Sequence, residues 1–207
     1  MRIVNQSVTL EAITPDAAQL IERAGRTCYK SEDKITEDSA AKFVKMVLER
    51  GHESVIEHAY ASFRVVCDRG VSHEFVRHRI FSYSQESTRY CNYSKNKFGG
   101  EVTFIKVPLT KPEASEEVWR EANEASERYY FRLLELGEPP EIARSVLMTD
   151  LKTELVGTAN FREWRHFLRL RTSPKAHPQM REVAQAIGVI LLRECPPVFE
   201  DVMREGA

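Results

Sequence analysis

Hydrophobic residues recur at helical spacing in the first quarter of the chain. Thr14-Pro15-Asp16 places a capping hydroxyl before a proline and an acid, so a helix is predicted from about residue 14 to 27. A second helix is predicted from about 36 to 50, because an apolar face follows the same spacing until Gly51.

The later half of the chain is predicted to be mostly helical. A short helix is expected after Pro139-Pro140. Asn160 and Glu163 have the spacing of a capping box, which predicts a helix from there to about residue 170. A last long helix is predicted from about 178 to 194.

A further helix is predicted between Ser115 and Leu136, and Gly137 ends it. Its apolar residues are three or four positions apart, the spacing of one helix face. These residues are Val118, Ala122, Ala125, Tyr129, Leu133 and Leu136.

Three shorter stretches predict strands, at 7–13, 56–67 and 102–107. In the second of them apolar residues alternate with more polar ones, as on a half-buried strand. Short strands mixed with many helices predict an α+β (α/β) fold, with an antiparallel sheet covered by helices. The chain has no repeat, low-complexity segment or long linker, so we expect a single domain spanning 1–207.

Composition argues against a dedicated nucleic-acid-binding protein. The chain has 207 residues, 30 Lys and Arg against 31 Asp and Glu, and a formal net charge of −1. Nucleic-acid-binding domains carry a basic excess, so any cationic cluster here is a local feature. A sequence that is 42% hydrophobic and 29% charged is typical of a globular core.

Other global features indicate a cytoplasmic protein with no membrane partner. The N-terminus lacks the apolar core of a signal peptide, and no apolar run approaches the roughly 20 residues that span a bilayer. The four cysteines are scattered without metal-type spacing, so we expect reduced thiols and no metal site.

The stretch RHRIFSYSQESTR, at 77–89, concentrates cationic and hydrogen-bonding side chains. A helix predicted over 72–79 would lead into a loop rich in hydroxyl groups. Ser87, Thr88 and backbone N–H groups beside Arg89 have the chemistry to bind a phosphate. A solvated surface with structural arginine pairs is the alternative at this point.

Two further segments carry candidate chemistry. His52 and His58 flank a Glu-rich segment, but their six-residue spacing suits neither a helical metal site nor HExxH. Arg162, His166 and Arg169 form a polar stripe on the helix predicted from 160. Arg171 at its end either stabilises the helix dipole or holds an anionic group.

Taken in order, these segments resemble a known family. Arg77-His78-Arg79, seven residues, Ser87 and then Arg89 match the RHR-x7-S-x-R signature of flavin-dependent thymidylate synthases. The HES…EH segment at 52–58, the segment from Glu141 to Arg144, and the N-x-R…FLxLR pattern from Asn160 to Arg171 extend the resemblance over most of the chain.

The resemblance implies an enzyme that methylates dUMP to dTMP. The one-carbon unit would come from methylenetetrahydrofolate, and the hydride would come from NADPH through bound FAD. The family implies a homotetramer with active sites where subunits meet, and no cysteine nucleophile.

The resemblance also implies roles for particular residues. Flavin contacts are expected from His52, Ser54, Glu57, Arg77, His78, Arg79, Ile80, Gln85, Asn160, Arg162, His166 and Leu170. Contacts with dUMP are expected from Glu74, Phe75, Val76, Arg77, Gln85, Glu86, Ser87, Thr88, Arg89, Arg144 and Arg171. Ser87 and Arg89 would bind the phosphate, and Arg171 would be the catalytic residue that activates the uracil ring.

Four positions depart from the commoner family pattern. The family often has Asn-Glu where this chain has Ser84-Gln85, so Gln85 or Glu86 would take the place of the motif carboxylate. Glu74 and His166 stand where Gln and Asn are frequent. The functional alternatives are a nucleic-acid-binding protein that uses residues 77–89, and a flavoprotein of the same fold with altered chemistry.

Overall fold

A computed structural model of the chain describes residues 1–205. Gly206 and Ala207, the end of the predicted 1–207 domain, lie outside the described residues. The chain forms two compact units. Unit 1 comprises Met1–Ser7, Val65–Phe75 and Ser84–Leu155, and unit 2 comprises Val8–Arg64, Val76–Tyr83 and the chain from Val156 onward. A single-domain organisation remains a prediction.

Six strands and eight helices are present in the described residues. The strands are β1 (Arg2–Val4), β2 (Ser7–Ile13), β3 (Tyr60–Asp68), β4 (Ser82–Gln85), β5 (Thr103–Ile105) and β6 (Lys152–Asn160). The helices are α1 (Ala17–Thr27), α2 (Ser39–Glu49), α3 (Arg69–Phe75), α4 (Pro112–Glu135), α5 (Pro140–Ala143), α6 (Phe161–Arg171), α7 (Pro178–Glu194) and α8 (Pro196–Glu205).

The main sheet has four strands in the order β2-β3-β6-β4. Ser62 of β3 hydrogen-bonds Thr158 of β6 at 2.7 Å, and the Phe161 N–H donates to the Ala59 carbonyl at 2.8 Å. Residue numbers rise along one strand as they fall along its neighbour, so this pair is antiparallel. The predicted α+β class with an antiparallel sheet is confirmed, and a parallel pair of β1 and β5 adds to it.

Several local predictions differ from the structure. The helix predicted over 72–79 lies at Arg69–Phe75, so Arg77, His78 and Arg79 follow its end. The predicted loop begins with strand β4, and β1, β6 and α8 were not predicted. The predicted helix at 178–194 and strand at 7–13 are confirmed.

Helix α4 packs in unit 1 through polar contacts in its first half and apolar contacts in its second half. The Trp119 indole and the Asn123 amide both donate to the Asp150 carboxylate, at 2.6 and 2.7 Å. The Ser126 hydroxyl donates to the Val146 carbonyl at 2.8 Å, and Tyr130 is fully buried. Of the apolar residues singled out in the sequence, Leu133 packs against the buried cluster of unit 1, whereas Val118, Tyr129 and Leu136 are exposed.

Helix α6 is held in unit 2 from both its start and its middle. Asn160 caps it by accepting the Glu163 N–H at 2.9 Å, which confirms the predicted start. The Trp164 indole donates to the Ala61 carbonyl at 3.0 Å, and its ring meets Phe63 edge-on at 5.0 Å. Leu170 near the end of α6, a predicted flavin contact, is 51% exposed.

No helix within residues 1–205 is both long enough and apolar enough to cross a membrane.

Candidate active site

The predicted site residues divide between the two units. Unit 2 contains every predicted flavin residue except Gln85, together with Val76 and Arg171. Unit 1 contains Glu74, Phe75, the segment 85–89 and Arg144.

In unit 2, His78 and the predicted catalytic Arg171 are in direct contact. The Arg171 Nε–H donates to His78 Nε2 at 3.1 Å, although 93 residues separate the two along the chain. His78 is buried, with 7% of its surface exposed, whereas Arg171 is partly exposed at the end of α6. The structure thus brings together the RHR motif and the C-terminal arginine of the family pattern.

The histidine in this pair is an uncharged acceptor at neutral pH. Burial is the main cause that lowers the pKa of His78 to about 4, followed by the positive charge of Arg171 and the neighbouring His166. A neutral ring that accepts at Nε2 carries its proton on Nδ1. The neutral ring can therefore hold Arg171 without charge repulsion.

Aromatic neighbours and a tyrosine fix the position of His78. The ring lies 5.0 Å from Phe167 and 5.9 Å from His166 between centroids. The Tyr83 hydroxyl donates to the His78 carbonyl at 3.0 Å, and burial raises the pKa of Tyr83 well above its usual range. Tyr83 was missed in the sequence because a tyrosine at a strand start has no signal of such a role.

The segment Glu53–His58 forms a 3-10 turn that pairs with the polar stripe of α6. Arg162 Nη1 lies 2.6 Å from the Glu57 carboxylate, so two predicted flavin contacts pair with each other. Arg162 and Arg169 also approach Glu53, at 3.5 and 3.2 Å. Carboxylates therefore hold the stripe's arginines in fixed orientations.

The remaining predicted flavin residues of unit 2 are mostly at the surface. Ile80 is 72% exposed and Leu170 51% exposed, although both are apolar. The other exposed members are polar or cationic: His52, Ser54, Arg77, Arg79 and His166. A surface with exposed aliphatic groups and several cations has the chemistry to bind a ligand with a flat ring system and phosphates.

In unit 1, Ser87 organises a tight turn at the predicted phosphate site. Its carbonyl accepts the N–H groups of Tyr90 and Cys91, at 3.2 and 2.9 Å, and its hydroxyl oxygen accepts the Arg89 N–H at 3.3 Å. The hydroxyl still has a proton to donate to an anion.

Two arginines lie beside this turn and are held by α5. Arg89 Nε lies 2.8 Å from the Glu141 carboxylate, and Arg144 Nε donates to the Glu141 carbonyl at 3.1 Å. Arg144 also donates to the hydroxyl oxygen of the buried Thr88 at 2.8 Å. The structure brings the predicted phosphate residues together, and Glu141 joins them as a positioning residue.

The structure distinguishes the roles of Gln85 and Glu86. Gln85 Nε2 donates to the hydroxyl oxygens of Ser72 and Thr153, at 3.0 and 3.2 Å. Its carbonyl oxygen is thereby directed away from these two partners.

The Glu86 carboxylate has partners within unit 1. It lies 2.8 Å from the Lys152 ammonium, and it accepts the Tyr93 hydroxyl at 3.2 Å. Lys152 was missed because it is 66 residues away on β6, a strand that the sequence did not indicate. Both residues expected to replace the motif carboxylate are therefore held by side chains of unit 1, Glu86 through its carboxylate and Gln85 through its amide nitrogen.

Three residues directly before the RHR motif are predicted to contact dUMP: Glu74, Phe75 and Val76. Phe75 is fully buried, so its side chain belongs to the core, whereas Glu74 and Val76 are half-buried. The assignment of this segment to the nucleotide stays a prediction.

Comparison with known proteins places the chain in a family. Residues 9–197 match the family model described as thymidylate synthase complementing protein. A flavin-dependent thymidylate synthase of Mycobacterium sp. strain JLS is 34% identical, with 96% of this chain and 85% of that protein covered. The chain belongs to the flavin-dependent thymidylate synthase family.

Other relatives agree with this assignment. The flavin-dependent thymidylate synthases of Mycolicibacterium vanbaalenii and Geobacter sulfurreducens are 36% and 32% identical, over 89% and 91% of this chain. The matched regions cover 79% and 83% of the length of those two relatives. The protein is thus an enzyme of the flavin-dependent thymidylate synthase family, as its motifs predicted.

A solved structure shows the same fold. The UMP/dUMP methylase PolB from Streptomyces cacaoi, determined with 5-Br dUMP bound, superimposes with a TM-score of 0.82. The match covers 97% of this chain and 96% of the methylase at 24% identity. The predicted flavin-dependent thymidylate synthase fold is confirmed.

Proposed function

We propose that the protein methylates dUMP to dTMP, with methylenetetrahydrofolate as one-carbon donor and NADPH as the source of the hydride. The observation that carries the proposal is the family match, which extends over residues 9–197. The contact between Arg171 and His78 supports it, because it joins two motifs of the family in one cluster.

We assign FAD to the exposed surface of unit 2 that contains His52, Arg77, Arg79, Ile80 and Leu170. The residues fit such a group, because exposed aliphatic side chains suit an isoalloxazine ring and the cations suit a pyrophosphate. When bound, FAD supplies the hydride transfer. The protein binds and orients the ligands.

Arg171 is assigned to the uracil ring. A guanidinium at the N3 and O4 edge of the ring stabilises negative charge there and polarises the ring for methylation at C5. His78 restrains that guanidinium by accepting its Nε–H at 3.1 Å. His78 thereby acts as a positioning residue.

The nucleotide phosphate is assigned to the turn at Ser87 and to Arg89 and Arg144. A hydroxyl donor and two guanidinium groups give charge-assisted hydrogen bonds, which are stronger than neutral ones. Glu141 keeps Arg89 in place, at 2.8 Å, before the ligand arrives. Such preorganisation lowers the entropy that binding must lose.

The homotetramer with active sites where subunits meet and the cytoplasmic location are parts of this proposal. The family implies the homotetramer, and the global features of the sequence favour the cytoplasmic location.

The test is to compare variants of two arginines in an assay of dTMP formation. Arg171→Ala should lower the rate at least about 100-fold, the usual loss when a preorganised electrostatic group is removed. Flavin absorption should be retained in this variant. Arg193→Ala is the matched control, because Arg193 is exposed on α7 and pairs with its neighbour Glu194 at 2.8 Å. Near-normal turnover of Arg171→Ala would contradict the assigned role.

The wild-type protein also separates the alternatives. A yellow protein that binds dUMP and forms dTMP supports the proposal. A yellow protein that makes no dTMP indicates a flavoprotein with altered chemistry, and a colourless protein with salt-sensitive binding to nucleic acid indicates the other alternative.

A further inference from the structure

We propose that Lys152 is a positioning residue for the nucleotide phosphate, because it holds the Glu86 carboxylate in an ion pair beside the turn that begins at Ser87. The carboxylate is then a partner of Lys152 and not a ligand of dUMP. This role deepens the proposed function and rests on it, because it requires that Ser87 and Arg89 bind the phosphate of dUMP.

The ion pair joins the start of β6 to the residue directly before the predicted phosphate turn. The Lys152 ammonium lies 2.8 Å from the Glu86 carboxylate and 3.3 Å from the carboxylate of Glu154. The side chains of Lys152 and Glu86 are only 23% and 15% exposed. Charges that are partly buried are screened by salt much less than charges on the surface. The pair therefore influences the charge next to Ser87.

Both partners of the Glu86 carboxylate are hydrogen-bond donors at neutral pH. Burial acts to lower the pKa of Lys152, but hydrogen bonds and charge from Glu86 and Glu154 raise it above its usual value. Burial, and then the charge of Glu86, raise the pKa of Tyr93 above its usual range. The Tyr93 hydroxyl thus keeps the proton that it donates to Glu86 at 3.2 Å. An ammonium and a phenol together hold the carboxylate.

The backbone of Glu86 is held separately from its carboxylate. Its N–H donates to the Glu154 carbonyl at 2.8 Å, and its carbonyl accepts a hydrogen bond from Arg69 Nη1 at 3.2 Å. Arg69 is itself tied to β6, since Nη1 also donates to the Thr153 hydroxyl oxygen at 3.0 Å. A change at Lys152 should therefore alter the charge beside the turn more than the path of its backbone.

An unpaired carboxylate at Glu86 would oppose the binding of a phosphate dianion. Consecutive Cα atoms are about 3.8 Å apart, so this carboxylate and a phosphate at Ser87 would be on the order of 10 Å apart. With a dielectric constant between that of a protein surface and that of water, the repulsion at this distance weakens binding about tenfold. Lys152 offsets this repulsion with its own positive charge. The ion pair therefore favours a doubly charged phosphate at the turn.

The test measures dUMP binding by the flavin-loaded protein with isothermal titration calorimetry. Lys152→Met removes the ammonium and should raise the Kd for dUMP about tenfold, because the Glu86 carboxylate then lacks its cation. Lys152→Arg keeps the charge and should recover most of the affinity. The inhibition constant of deoxyuridine in the dTMP assay should change less than about twofold in Lys152→Met, because a ligand without a phosphate does not feel this charge. A general distortion of the site would weaken both ligands alike.

A double variant separates the ion pair from a direct contact with the nucleotide. Glu86→Gln with Lys152→Met removes both charges, so its Kd for dUMP should be lower than that of Lys152→Met alone. The double variant has no unpaired carboxylate at position 86, so it also serves where Lys152→Met does not fold. If it binds dUMP more than about tenfold more weakly than the wild type, the Glu86 carboxylate is a ligand and the role of Lys152 is wrong.

Lys45→Met is the matched control. Lys45 on α2 pairs with Glu200 on α8 at 3.0 Å, and neither helix carries a predicted ligand contact. This variant should keep the wild-type Kd, and thermal unfolding confirms which variants are folded. An unchanged Kd for dUMP in Lys152→Met, or equal losses for dUMP and deoxyuridine, would disprove the role of Lys152 while the proposed function stands. A wild type that binds no dUMP and forms no dTMP would overturn the proposed function itself.

Discussion

At the scale of single residues, the protonation state of His78 decides what Arg171 can do. Burial and the guanidinium together keep the ring neutral well below physiological pH. A neutral ring can accept the Arg171 Nε–H, whereas a protonated ring would donate at both nitrogens and repel the guanidinium. The contact at 3.1 Å therefore exists only in the neutral state.

This arrangement predicts a specific dependence of stability on pH. The pKa of His78 is lowered from 6.5 to about 4, so the unfolded chain binds the proton first as the pH falls. The contribution of neutral His78 to the free energy of unfolding is complete above pH 6.5. It is lost as the pH falls through the pKa of His78 in the folded state. Its full size is about 3 kcal/mol for a shift of this extent.

Urea unfolding of the wild type and of His78→Gln between pH 7 and 4 measures this contribution. Glutamine offers a carbonyl acceptor but does not titrate, so the variant should lose clearly less stability across this range. Parallel pH profiles for the two proteins would contradict the assignment.

The turn at Ser87 predicts an effect on binding rather than on chemistry. Ser87→Ala removes one hydroxyl donor to a charged phosphate, which is expected to weaken dUMP binding about tenfold. The KM for dUMP should rise with little change in kcat. A loss confined to kcat would mean that Ser87 acts on the reacting ring.

At the scale of elements, α6 carries both structural and functional groups. Its polar stripe pairs with the 3-10 turn of Glu53–His58, and its C-terminal end contributes Arg171. The Asn160 cap supports this arrangement because its side chain satisfies a backbone N–H that would otherwise lack a partner.

Removal of the cap should therefore destabilise the flavin-free protein. Asn160→Ala should lower the free energy of unfolding by about 1 kcal/mol, and Asn160→Asp should retain most of it. Denaturant unfolding measures the difference. An unchanged stability in the alanine variant would assign Asn160 to ligand binding alone.

The sequence predicts most helices but misses β6. Thr153, Leu155 and Ala159 alternate with Lys152 and Glu154, but charged and small residues weaken the strand pattern. Pairing with β3 overrides this local preference, which no window of sequence can reveal. For α4, the periodicity gives the helix correctly, whereas the buried position of Asn123 depends on its hydrogen bond to the distant Asp150.

Candidate site residues that belong to a family motif could be predicted from the sequence. Contacts between residues that are far apart along the chain could not. The motifs indicate Arg89 and Arg144 correctly as neighbours of one turn, and they bring His78 and Arg171 into one family pattern. The engagement of Glu86 by Lys152 depends on strand pairing. Nothing in the sequence around residue 86 could show that its carboxylate is already bound.

At the scale of the whole molecule, the near-neutral charge separates a nucleotide enzyme from a nucleic-acid-binding protein. A net charge of −1 gives the chain no overall excess of cations for binding a polyanion. A local cluster of a few cationic residues is of a size to bind the phosphate of one mononucleotide.

Ligand-dependent stability should reflect this difference. At a concentration of dUMP about 100 times its Kd, the native state should gain about 2.7 kcal/mol, seen as a rise in Tm. A single-stranded DNA 15-mer, added in the absence of dUMP, should produce no comparable rise in Tm in 150 mM salt. The opposite ranking would favour nucleic-acid binding.

The release of tritium from dUMP labelled at C5 tests the central claim most directly, because replacing the C5 hydrogen by a methyl group must free it. The purified protein should release tritium into water and form dTMP in equal amounts. The formation of dTMP should require both methylenetetrahydrofolate and NADPH. A flavin-loaded protein that forms no dTMP with all of these substrates present would contradict the account.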